Sequence, residues 1–191
     1  PCTKLINQTI EKAASEGGGT IYFPAGTYLT ATIHMKSNIT LHLESGAIVR
    51  FSDRFEDYLP FVTARWEGTV MQTLSPLIYA HSADNLTITG RGTLDGNGLK
   101  WWLWEFETRK VIKENGGKLP SLDKLQQMWV DANKDLEISD YYKPSLERKM
   151  FRPPFIQFYE CTNILIENVK IINSPFWTVN PAFCDNVTIH G

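Results

Sequence analysis

Short stretches in which apolar and polar residues alternate run through most of the chain, and a two-residue period marks strands with one buried face. One phrase, a polar residue, Asn, an aliphatic, Thr or Leu, and a second aliphatic, occurs at 37–41, 84–88, 162–166 and 185–189. Its asparagines, Asn38, Asn85, Asn163 and Asn186, are spaced by 47, 78 and 23 residues. A unit of 23 residues makes the first spacing about two units and the second one unit plus an insertion of roughly 53 residues. The insertion is visible from 98 to 150, where Trp101, Trp102 and Trp104 precede a helix-like stretch at 121–133 and a polar one at 143–149. With it removed, Leu77-Ile78-Tyr79 falls on Phe155-Ile156-Gln157, and NLTITGRGTLDG from Asn85 falls on NILIENVKIINS from Asn163.

Strands this short at a period in the low twenties fit one coil of a parallel β-helix, about three strands separated by turns. Leucine-rich repeats share the period, but their Leu-x-x-Leu-x-Leu framework is absent. Stacked coils lie about 4.8 Å apart, so residues of equal phase form ladders along the axis. Asn suits a ladder turn because it tolerates a left-handed backbone and its amide can bond to the one above. That role demotes the Asn-x-Thr sequons at Asn7, Asn38, Asn85 and Asn186, of which the last three are ladder positions. Cys161 and Cys184, 23 residues apart, share a phase and read as stacked small hydrophobes rather than a disulfide.

Leu5, Ile6, Ile10, Ala13 and Ala14 have helical spacing and Gly17-Gly18-Gly19 follows them, which predicts a helix capping the first coil. The expected organisation is one incomplete domain over 1–191: capping helix 1–19, first coils 20–97, insertion 98–150, further coils 151–191. Gly191 follows directly on a strand with nothing to cover an open edge, so further coils are expected beyond it.

Composition narrows the function. A formal charge of -2 with scattered Lys and Arg disfavours nucleic acid as a partner. No apolar run is long enough to cross a bilayer, and Pro1-Cys2-Thr3 lacks the features of a signal peptide. Cys2, Cys161 and Cys184 match no metal or disulfide framework, and no compact acidic cluster suggests calcium, so neither metal nor cofactor is expected. Asp95-Gly96-Asn97-Gly98 reads as a turn after a strand, and His34, His42, His81 and His190 as isolated surface histidines.

Several segments together resemble glycoside hydrolase family 28, the polygalacturonases and related pectin-backbone hydrolases. They are GGGTIYFPAGTY at 17–28, RWEG at 65–68, SPLIYA at 75–80, NLTITGRGTLDGNG before a Trp-Trp pair, and the run from Arg152 to Gly191. The resemblance implies an all-β chain, a right-handed parallel β-helix of the pectin lyase-like kind with a capping helix and a partly helical insertion. It also implies inverting acid/base hydrolysis of galacturonan or rhamnogalacturonan, an acidic plant polysaccharide as partner, no cofactor, and an extracellular or periplasmic location. The family's three aspartates, its histidine and its Arg-x-Lys element would all lie beyond Gly191. No catalytic residue is therefore expected in this chain, which alone should be inactive and would associate with the missing coils. The family's first aspartate stands nine residues before a ladder Asn, a phase occupied here by Trp177 before Asn186.

Five residues are candidates for binding substrate. Trp177, one coil below that aspartate, is placed to stack on a sugar ring, or else packs under a loop. Asn180 shares the phase of Gln157, and both amides are read as facing outward towards sugar hydroxyls. Arg65 and Arg152 can each grip a uronate carboxylate through a bidentate pair, or form a structural salt bridge, for Arg65 with Glu67. Glu67 orients Arg65 or binds a hydroxyl. The insertion, with its three tryptophans, Tyr141 and Tyr142, walls one end of the cleft and favours chain-end attack, or forms a packing or oligomer surface. The same repeat also suits a β-helical polysaccharide lyase or a non-catalytic carbohydrate-binding or adhesin β-helix.

Overall fold

A computed structural model describes residues 1–137 and 146–191 of the protein. Tyr141 and Tyr142 lie outside the described residues. Helix α1 (Thr3–Ser15) buries Ile6 and Ile10 against the first coil and ends at a positive-φ Gly17. The chain then winds through β1 (Gly19–Phe23), β2 (Gly26–Thr30) and β3 (Ile33–His34). The second circuit is β4 (Ile39–Leu43), β5 (Ala47–Phe51), a hairpin of β6 (Val62–Trp66) and β7 (Thr69–Thr73), then β8 (Ile78–His81). The third is β9 (Asp84–Gly90), β10 (Thr93–Asp95), helices α2 (Leu99–Glu114) and α3 (Lys124–Ala132), then β11 (Ile156–Tyr159). Above it lie β12 (Thr162–Glu167), β13 (Lys170–Ile172), a segment bridged to β11 at Val179 and Ala182, and β14 (Asp185–His190).

Every neighbour in three of the sheets is parallel. Sheet A stacks β1-β4-β9-β12-β14, sheet B β2-β5-β10-β13, and sheet C β3-β8-β11. The fold is a parallel β-helix. Alternation decides what faces inward: β4 buries Ile39, Leu41 and Leu43 and β5 buries Ala47, Val49 and Phe51. Like residues then meet coil to coil, as in the pile Leu41, Ile88, Ile166, Ile189. Each fully buried aliphatic contributes about 1.5–3 kcal/mol relative to exposure.

The asparagine ladder sits at the corner before sheet A. Asn38, Asn85, Asn163 and Asn186 have φ of 62°, 58°, 54° and 53°. Asn85 donates from Nδ2 to Oδ1 of Asn38 at 2.7 Å, Asn163 to Asn85 at 3.1 Å, and Asn186 to Asn163 at 2.7 Å. Cys161 and Cys184 stack at the same corner as free thiols, their acidity reduced by burial.

Two readings of the repeat need correction. Asn38 and Asn85 stand on adjacent coils, since β4 pairs directly with β9. Their spacing of 47 is therefore one coil of about 23 plus an excursion of about 24, the 3₁₀ turn at Phe55–Tyr58 and the hairpin. The match of the third and fourth coils also slips by one residue: Thr93 pairs with Lys170 rather than Ile171, because the Gly90-Arg91-Gly92 turn is one residue longer.

Both excursions leave the barrel between sheet B and sheet C, on consecutive coils. They fuse into one lobe with its own core of Trp66, Met71, Trp129, Leu146 and Phe151. Asn133, just past α3, accepts from the Gln72 amide at 2.9 Å and donates to the Gln72 carbonyl at 2.8 Å, latching helix to hairpin. An Asp123–Gln126 capping box starts α3. The chain exits the barrel through Asp95-Gly96-Asn97-Gly98, where a Cβ on either glycine would come within 2.6 Å of the Asn173 carbonyl. Asp95 is nearly buried there, accepting from the Asn97 backbone at 3.0 Å and the Asn173 amide at 2.8 Å, with Arg50 3.6 Å away.

Candidate functional site

The outer face of sheet C carries the candidate site, because alternation turns every second side chain of its strands away from the core. Register places His34, Tyr79, Gln157 and Asn180 in one outward column, and His81, Tyr159 and Ala182 in the next. The hairpin lies across the lower part of the first column. Tyr79 donates its hydroxyl to the Thr63 carbonyl at 2.6 Å, and burial raises its pKa to about 12.

Gln157 is fully buried there. Its Oε1 accepts from the Arg65 backbone at 3.2 Å and its Nε2 donates to the Arg65 carbonyl at 2.8 Å. The expectation that Gln157 faces sugar is thus overturned: strand β6 takes both of its polar atoms. Asn180, one coil higher, is not covered in this way. Its backbone donates to the Ile156 carbonyl, and its Nδ2 is buried without a partner among the described residues.

Trp177 precedes this position on the same rising segment, its carbonyl accepting from Phe155 at 2.8 Å. Its indole is 37% exposed and stacks on Phe176 with centroids 4.5 Å apart. Phe176 in turn stacks on Trp66 at 6.0 Å, which meets Phe151 at 4.2 Å, so an aromatic pile joins the rim of sheet C to the lobe's core. Arg65 sits beside the second column with its guanidinium 5.8 Å from the Phe183 ring, which also meets Tyr159 edge-on at 5.6 Å. Phe183, 63% exposed in a positive-φ turn, carried no signal of its role.

Arg65 forms no ion pair among the described residues, so the alternative reading of a salt bridge with Glu67 is not met. Glu67 occupies the hairpin turn with φ of 49°, where its charge acts on Arg148.

Arg152 stands apart from sheet C. It donates to the Pro175 carbonyl at 2.9 Å, lies 4.9 Å from the Phe176 ring, and approaches Glu105 at 3.9 Å. Glu105, on α2 and nearly buried, also receives Arg109 Nε and Arg148 Nη1, each at 2.5 Å. Burial alone raises a carboxyl's pKa, but the Arg109 hydrogen bond and the charges of Arg148, Arg109 and Arg152 reverse that and leave Glu105 below its ordinary value. Only the Glu105–Arg109 pair, four apart on a helix, was readable along the chain.

Other titratable groups pair locally. His81 meets Glu160 at 3.3 Å and His190 meets Glu167 at 3.1 Å, while His34 is held below its usual pKa chiefly by burial. Among the described residues no group of three or more His, Cys, Asp or Glu is arranged to hold a metal.

No family model matches the chain. A "probable polygalacturonase" of Vitis vinifera is 28% identical over 188 residues, covering 95% of this chain and 30% of that relative. A hyperthermoactive exopolygalacturonase of Thermotoga maritima superposes with a TM-score of 0.73 at 36% identity, over 98% of this chain and 41% of its own. A family 28 exopolygalacturonase of Yersinia enterocolitica shares the fold, with a TM-score of 0.67 at 20% identity over 99% of this chain and 35% of its own. The chain thus spans well under half the length of these relatives. By sequence and by fold the chain is similar, over nearly its whole length, to polygalacturonases, one of them a family 28 exopolygalacturonase.

Proposed function

We propose that the protein to which this chain contributes hydrolyses galacturonan with inversion, outside the cytoplasm, attacking from a chain end. The observation that carries the reading is the outer column of sheet C: the hairpin buries Gln157, while one coil higher Trp177 keeps an exposed ring beside Asn180. The hairpin lies across the lower part of this column, which suits a substrate entering end-on, and the Thermotoga maritima relative is named an exopolygalacturonase.

Inverting hydrolysis needs an acid and a base about 6.5–9.5 Å apart, a spacing that groups on neighbouring coils can meet. That pair belongs to coils of the whole protein outside this chain. Here Trp177 stacks on a pyranose ring, Asn180 lines the floor beside it, and Arg65 supplies positive charge for a carboxylate. Rhamnogalacturonan is the alternative backbone.

The test is product analysis of the whole protein on polygalacturonate. Galacturonate or a short oligomer should accumulate linearly with little loss of viscosity, and Trp177→Ala should raise KM about fivefold. No reducing sugar from either backbone would discard the reading; a rapid fall in viscosity would discard chain-end attack.

A further inference from the structure

Away from sheet C, the surface between α2 and the Arg152 segment forms a groove of about 440 Å³ lined by Trp102, Glu105, Phe106, Arg109 and Arg152. That volume lies within the roughly 300–1,000 Å³ of small-ligand sites. We infer that this groove binds the carboxylate of a uronic acid residue as a subsite separate from the face of sheet C; the inference rests on the galacturonan reading above.

Charge is the first argument. Of the residues that line the groove, one buried carboxylate, Glu105, is met by two guanidiniums, those of Arg109 and Arg152. The bonds to Glu105 are one-sided. Arg109 uses Nε, which leaves both of its terminal amino groups for a ligand, and its side chain is 63% exposed. Arg152 commits Nη1 to the Pro175 carbonyl and Nε towards Glu105, with Nη2 left over. Two guanidiniums held by one buried carboxylate form a preorganised anion receptor, whose planar forks match a carboxylate.

The second argument is the apolar wall. Phe106 is 71% exposed, and Trp102 is fixed by donating its indole N–H to the Ser174 carbonyl at 2.9 Å. An aromatic wall beside a cationic floor suits a ring with an apolar C–H face and one carboxylate, which is a hexuronate. The groove also adjoins the main site, since Arg152 lies on Phe176 and Phe176 stacks on Trp177.

Glu105 is a positioning residue here, and Arg109 the contact to test because its exposure makes Arg109→Gln safe for folding. Calorimetry with trigalacturonate, its methyl ester and neutral galactotriose reads the proposal. Wild type should prefer the free acid, and R109Q should bind it about tenfold more weakly, roughly 1.4 kcal/mol, down to the level of the ester. Equal affinity of wild type and R109Q for trigalacturonate, or equal affinity of wild type for acid and ester, would overturn it. Turnover of polygalacturonate is measured alongside. Its absence with R109Q-sensitive binding intact refutes the hydrolase reading alone, and turnover with R109Q-insensitive binding refutes the groove alone.

Discussion

At the scale of the residue, the ladder asparagines perform two tasks that substitution can separate. Asn163→Ala loses both amide bonds and places a Cβ residue without a compensating side chain at φ of 54°, and should cost about 2 kcal/mol. Asn163→Gly keeps the backbone at ease and loses the amide bonds, costing about half as much. Urea midpoints of the two variants check the order. Glu105 has a different signature, because its folded pKa lies below the unfolded value of about 4.3. Its contribution is complete above that pH and is lost as the pH falls through the folded pKa. Glu105→Gln should therefore cost about 3 kcal/mol at pH 7, where it removes the buried carboxylate that Arg109, Arg148 and Arg152 share, and progressively less below about pH 4. Denaturation at pH 7 and at pH 3.5 compares the two. The ladder was legible because it repeats with the coil. The Glu105 cluster was not, because Arg148 and Arg152 are 43 and 47 residues away across the insertion.

At the scale of the element, repeat arithmetic located the coils but miscounted them. A spacing of 47 is compatible both with two plain coils and with one coil carrying a hairpin, and only the β4–β9 pairing separates the two. The period was sound; the excursion was camouflaged, since the hairpin alternates like a barrel strand. The same ambiguity hid the burial of Gln157, which is decided by what lies on top of its strand. The hairpin and α3 are held together by the two Gln72–Asn133 bonds as well as by aromatic packing. Asn133→Ala should loosen this lobe as a unit, with hydrogen exchange at β6, β7 and α3 rising about tenfold while β9 and β12 are unchanged. Faster exchange throughout the barrel would show that lobe and coils unfold together.

At the scale of the whole molecule, floor and walls of the candidate cleft come from different kinds of chain. The floor is a stack of coils whose geometry is set by backbone pairing, while the walls are excursions that leave from one corner on consecutive turns. Lengthening or shortening an excursion leaves every rung of the barrel in place, because the chain returns to the same corner whatever it does outside. Selection for a new ligand can therefore act on the outgrowths, as one swaps the jaws of a vice without recasting its bed.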